Sequence, residues 1–168
     1  MDTTAGLARI DELGARDRYL GVLVTQNEDL VPQVSVVNAG IVDHPSDGTR
    51  VVALVARGGT AKLRNLRAHP SATLVFRAGW EWVAVRGSVE LSGPDDPQPW
   101  ADAETQRQLL RDVYHAAGGH HSDLDVYDQE MVAERRTAVL VRPDRIWSNP
   151  QGTEHKSTEG GGSDGGAA

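Results

Sequence analysis

The stretch Thr60-Ala61-Lys62-Leu63-Arg64-Asn65-Leu66-Arg67-Ala68-His69-Pro70 packs a lysine and two arginines into a short helix-like segment. It lies between two runs that read as strands, Arg50 to Ala56 before it and Ser71 to Arg77 after it. Of the 17 Lys+Arg residues only Lys62 and Lys156 are lysines, so Lys62 is the single ammonium ahead of the Gly-rich C-terminal segment. Arg57-Gly58-Gly59 precede the segment, and Thr60 stands where a helix N-cap belongs. A helix N-terminus offers unpaired N–H groups and a partial positive charge, and glycines let a ligand approach the backbone. Lys62 would add a point charge and Arg57 or Arg64 a fork matched to phosphate oxygens. The spacing is met as well by a solvated basic turn that balances nearby carboxylates. On spacing alone that plainer reading leads, because short basic helices are common on surfaces.

Outward from this segment the chain is strand-rich. Leu7, Ile10 and Leu13 recur at helical spacing and predict an N-terminal helix ending near Leu13-Gly14. Tyr19 to Thr25 is apolar and β-branched, and Gln26-Asn27-Glu28-Asp29 reads as a turn. Pro32 to Val37 alternates like a half-buried strand. Ile41-Val42, a turn at His44-Pro45-Ser46-Asp47-Gly48, and Arg50 to Ala56 form the next hairpin. Ser71 to Arg77 and Trp82 to Leu91 form another around Ala78-Gly79-Trp80. Ser92 to Pro99 is a proline-blocked loop. Helices follow from Pro99 to Tyr114 and from about Asp123 to Arg135, with a break at Gly118-Gly119, and Thr137 to Arg142 closes as a strand. Hairpin-like turns without βαβ alternation predict a small antiparallel barrel with helices outside it, an α+β fold that is mainly β.

Composition narrows the function. A chain of 168 residues suits one domain with a real core, placed at residues 1–150. Residues 151–168 are Gly-rich with nothing apolar to bury, which predicts a disordered tail. The formal net charge of -7 argues against nucleic acid or an anionic membrane as the partner. The absence of cysteine excludes disulfides, thiolate nucleophiles and Cys-ligated metal. No apolar run approaches a membrane span and no signal peptide is visible, so a cytoplasmic location is expected.

The order of strands, then Ala61-Lys62-Leu63-Arg64-Asn65-Leu66-Arg67-Ala68-His69-Pro70, then Gly79-Trp80-Glu81-Trp82-Val83-Ala84-Val85-Arg86-Gly87 resembles the split β-barrel flavin/deazaflavin oxidoreductases, relatives of pyridoxamine phosphate oxidase. His120-His121-Ser122-Asp123-Leu124-Asp125-Val126-Tyr127, Met131-Val132-Ala133-Glu134-Arg135-Arg136 and Val141-Arg142-Pro143-Asp144-Arg145-Ile146-Trp147 are similar to the actinobacterial branch that binds the deazaflavin F420. The resemblance implies a split antiparallel barrel that is a homodimer with shared sites. It implies an F420-dependent oxidoreductase moving a hydride to or from an unsaturated small molecule, with FMN as the alternative cofactor. A non-catalytic F420-, flavin- or haem-binding carrier on the same barrel stays open. By position it places Lys62, Arg64, Asn65, Thr60 and Arg57 at the cofactor's phosphate, and Gln33, Ser35 and Asn38 beside its ring. Trp80 and Trp82 would reach the cofactor held mainly by the other subunit. The run Arg57-Gly58-Gly59-Thr60 departs from relatives, which often carry bulkier residues or a proline there.

Flavin and deazaflavin carry the hydride themselves, so no catalytic triad or metal set is required. Ser35 or Tyr127 is a candidate proton source, neither with a decisive signal. His120-His121 with Asp123 and Asp125 reads as helix capping and not as a metal site, because adjacent histidines point in different directions. Tyr114 and Tyr127 read as packing residues, as do Trp100 and Trp147.

Overall fold

A computed structural model describes residues 1–149; the expected tail at 151–168 lies outside the described residues. Six strands form one closed antiparallel barrel in the order β1-β2-β3-β6-β5-β4. They are β1 (Leu20–Gln26), β2 (Pro32–Asp43), β3 (Arg50–Ala56), β4 (Ser71–Ala78), β5 (Glu81–Ser92) and β6 (Thr137–Ser148). Four helices surround them: α1 (Thr3–Arg16), α2 (Ala61–Ala68), α3 (Ala103–Ala116) and α4 (Leu124–Ala133). The α+β split barrel that the sequence predicts is therefore the fold.

The barrel is filled by alternate residues of each strand. Leu23, Leu54, Leu74, Phe76, Val83, Val85, Val139 and Val141 meet inside it, sealed by Leu7 and Ile10 of α1 and by Leu63 and Leu66 of α2. Burying each of those two α2 leucines contributes about 1.5–3 kcal/mol, which is what fixes this short helix to the barrel. A second core lies outside the barrel, where Leu109, Leu110 and Val113 of α3 cover Val42, Val51, Ala53 and Leu140. Gly40 makes that docking possible, because a Cβ there would sit 2.1 Å from the Ala116 carbonyl oxygen.

Several expected boundaries shift, among them the start of α3, which is Ala103 and not Pro99. Helix α1 runs past Gly14, since this glycine is where the Tyr19 ring packs; a Cβ would come within 2.8 Å of it. β2 is one unbroken strand through Asp43, so Ile41-Val42 extends it rather than starting a new element. β6 continues past Arg142, the expected end of this strand, through Pro143 to Ser148. A register shift at Arg86/Gly87 accommodates the missing N–H, and Gly87 leaves room for the Arg142 carbonyl. No helix among the described residues is long and apolar enough to cross a membrane.

Candidate functional site

β3 ends at Ala56, and the chain turns through Arg57, Gly58 and Gly59 into α2. Gly59 takes a φ of +75°, which an L side chain would strain, and Gly58 lies so close to α4 that a Cβ would fall 2.7 Å from Arg135 Cβ. Gly58 donates its N–H to the Glu134 carbonyl at 3.1 Å, which ties this turn to the end of α4. Thr60 has the extended backbone of an N-cap but makes no side-chain cap bond, and its Oγ1 is buried without a partner. Thr60 thus leaves a polar atom and a helix N-terminus open to a further group.

These residues border a cleft of about 800 Å³ between the outer surface of β2 and β3 and the helices α3 and α4. Arg57, Thr60 and Lys62 line one part of it, and Arg18, Tyr19 and Asn38 another. From α3, α4 and their connection come Tyr114, His121, Tyr127, Glu130 and Met131, with Arg136 just beyond α4. Arg18, Arg57, Lys62 and Arg136 make the cleft cationic against one carboxylate, Glu130, on a chain whose net charge is -7. Arg136 is itself paired with Glu134, and outside the cleft Arg9 and Arg16 pair with Glu81, Arg67 with Asp96, Arg111 with Asp128 and Arg142 with Asp47. Arg18, Arg57 and Lys62 form no ion pair with any described residue, so their charge is available to a ligand.

The backbone is strained beside this cleft. Arg18 and Tyr19 are consecutive non-glycine residues at φ of 54° and 55°. Such conformations cost about 1–3 kcal/mol each and persist where the surroundings hold them. Here Asn38 Nδ2 donates to the Arg18 carbonyl at 2.9 Å, and the Tyr19 N–H donates to Gly14 O at 2.7 Å. Tyr127 is buried; its hydroxyl donates to Leu110 O at 3.0 Å, and burial pushes its ionisation up to about 12. Its ring stacks on Tyr114 at 4.6 Å between centroids.

The structure puts the sequence-predicted residues in different places. Arg57, Thr60, Lys62 and Asn38 line the cleft. Asn65 does not: it is buried beneath α2, where Nδ2 donates to Gln33 Oε1 at 2.7 Å and Thr25 Oγ1 at 3.1 Å. Gln33 and Ser35 pair with Thr25 and Leu23 and share their face of the sheet, opposite to that of Val36 and Asn38. Arg64 is exposed and donates to Gly59 O at 3.2 Å. Trp80 and Trp82 lie on the β4–β5 hairpin, away from the lining of this cleft. Of the two candidate proton sources, Ser35 is outside the cleft lining and the Tyr127 hydroxyl is committed to Leu110.

Arg18, Tyr19, Tyr114, His121, Glu130, Met131 and Arg136 are lining residues that the sequence reading did not assign. A usable signal existed for part of them. The Gly118-Gly119 pair marks a close approach, and a Cβ on Gly119 would fall 2.4 Å from the Tyr114 ring.

A closed six-stranded barrel with a cationic cleft at its β3–α2 corner defines the split-barrel class. The profile of the pyridoxamine 5'-phosphate oxidase family matches residues 10–149, and the chain belongs to that family. A conserved hypothetical protein from Mycobacterium tuberculosis superposes with a TM-score of 0.61 at 18% identity, over 88% of this chain and 84% of that one. An F420 reductase superposes with a TM-score of 0.53 at 20% identity, over 77% and 90%. A heme storage protein from Vibrio cholerae does so with 0.51 at 13%, over 83% and 92%. At these identities the three likenesses speak for the fold alone.

Proposed function

We propose that this chain is an oxidoreductase that binds F420 in the cationic cleft, with FMN as the nearest alternative, and that it works as a homodimer. One observation carries the reading. The two sequence blocks that resemble the F420-binding branch, the Lys62 segment and the His121-to-Tyr127 segment, meet across a single cleft although 59 residues separate Lys62 from His121.

The residues present fit an anionic coenzyme. Thr60 Oγ1 is a buried hydroxyl without a partner, and Arg57 and Lys62 beside it pair with no described carboxylate. Arg57, Thr60 and Lys62 would hold the phosphate, and Asn38 with Val36 and Val37 would border the ring. A bound deazaflavin or flavin supplies the hydride chemistry from its own ring. The protein's share is orientation and exclusion of water: Tyr19, Tyr114, Val113 and Met131 give the cleft its apolar wall. The buried Tyr127 hydroxyl is held by Leu110 O, so the required proton would come from solvent or from another group of the cleft.

The dimer rests on the outer face of β2. Val34 and Val36 are 61% and 66% exposed and pair with Val24 and Val22, a row of valines that runs straight into the cleft. A second copy covering that row would seal the cleft from one side and bring its own Trp80–Trp82 hairpin within reach. The test is parallel titration of the purified protein with F420 and FMN, with sedimentation at micromolar concentration. Saturable binding with F420 the tighter ligand supports the reading. Failure of both coenzymes to bind, or a monomer, overturns it. Tight binding without turnover of any conjugated acceptor turns it toward a carrier.

A further inference from the structure

We propose that His121, locked as the tautomer protonated on Nε2, donates a hydrogen bond to a carbonyl-type acceptor of the molecule bound in the cleft and thereby selects for ligands that carry one. The inference rests on the cofactor reading above and assigns to that site a positioning residue.

The lock is built in steps. Asp123 is the N-cap of α4, its Oδ1 accepting from Asp125 N at 3.0 Å and Val126 N at 3.2 Å. That cap fixes the backbone at Asp123, and its N–H points at His121 Nδ1, 3.0 Å away. A ring nitrogen that accepts from an amide carries no hydrogen, so in the neutral ring the hydrogen sits on Nε2. His121 makes no other hydrogen bond with the described residues and lines the cleft, so Nε2–H is left for a ligand.

The loop that carries it is held by contacts on both sides. Gly118, at φ +81°, lets the chain pass against the Tyr19 ring, and Gly119 passes against Tyr114. The Tyr114 hydroxyl donates to the His120 carbonyl at 3.0 Å, one residue before the imidazole. The Tyr127 ring stands 6.0 Å from that of His121 between centroids. A neutral imidazole held this way is a directed donor that costs little to organise. Arg57, Lys62, Arg18 and Arg136 hold charge, whereas Nε2–H recognises an uncharged oxygen or ring nitrogen.

Two substitutions separate the local bond from the ligand bond. In His121→Asn the amide oxygen takes the place of Nδ1 and keeps the Asp123 contact, but nothing reaches where Nε2 was. In His121→Gln the amide nitrogen takes the place of Nε2 and keeps a donor while the Asp123 contact is lost. Each is titrated with F420 and FMN as the full-length protein. We expect His121→Asn to bind about tenfold more weakly with an unchanged melting temperature, and His121→Gln to regain most of the affinity.

Imidazole 15N spectra of His-labelled wild type, free and loaded, give an independent readout. The expected pattern is a pyrrole-type Nε2 in both states, with its proton shifting on loading. Equal affinity of wild type and His121→Asn, or a proton found on Nδ1, overturns this inference and leaves the cofactor reading standing. A wild type that binds neither coenzyme overturns the cofactor reading, and this one with it.

Discussion

Asn65 tests most sharply whether a polar residue of α2 serves the ligand or the fold. Replacing it by alanine removes two hydrogen bonds, to Gln33 and to Thr25. Gln33 is exposed, so water takes over its oxygen. Thr25 is 2% exposed, and its hydroxyl is left stranded at about 1–3 kcal/mol. The shortened side chain leaves a void worth about 1 kcal/mol, and alanine's better helix propensity returns about 0.5 kcal/mol. The net loss is about 1.5–3.5 kcal/mol, which for a domain of this size lowers Tm by roughly 3–14 °C. Thermal unfolding followed by circular dichroism measures it, with coenzyme titration of the same sample below the transition. The expected result is a lower Tm with affinity nearly preserved. An unchanged Tm with a large loss of affinity would mean that Asn65 faces the ligand, and its assignment to the fold would have to go.

Lys62→Ala should weaken coenzyme binding by about 1.5–3 kcal/mol, a charge-assisted contact, while Tm stays put; equal affinities by fluorescence titration would remove the anion site from this corner. Gly40→Ala should cost about 1–3 kcal/mol or more, because the new methyl meets backbone atoms of Ala116 and Ala117 and α3 must move off β2; an unshifted urea midpoint would contradict that packing. Asp47 is held at about 2 by bonds from the Thr49 hydroxyl and amide, assisted by Arg142. Its folded value lies below the unfolded value of about 3.9, so its contribution is present above pH of about 4 and disappears as pH falls through the folded value. The Tm difference between wild type and Asp47→Asn should therefore close on acidification across that window; a constant difference would refute the assignment.

Much of the barrel was legible because its strands obey local rules. Arg50–Ala56 is an uninterrupted apolar β-branched run, and its bounds as β3 match the reading. Pro143 is where a ladder bond must be missing, and β6 continues past it because Asp144 is an extra residue opposite Arg86/Gly87, a two-against-one pairing set by the register with β5. The site was half legible. Lys62, Arg57 and Thr60 flank one turn, so local sequence brings them together. Asn65 sits three residues on from Lys62 and points under the helix instead, toward a threonine and a glutamine on other strands. Which way a helical residue faces depends on what the rest of the chain offers it. His121 and Tyr127 reached the cleft through the docking of α3 on β2 and β3, a contact that no periodicity in the His120–Tyr127 segment encodes.

The bond from the Gly58 amide to the Glu134 carbonyl has a mechanical consequence. It staples the turn bearing Arg57 and Thr60 to a helix that buries Tyr127 alone, packs Met131 against the second core, and is held by Arg107, Arg111 and the Leu110 carbonyl. Anything that works α4 loose, such as neutralising Asp128, tugs on the corner that the proposed function gives to the phosphate. On that reading, mutations that touch no coenzyme atom register as weaker coenzyme retention, and filling the corner shields α4 from proteases.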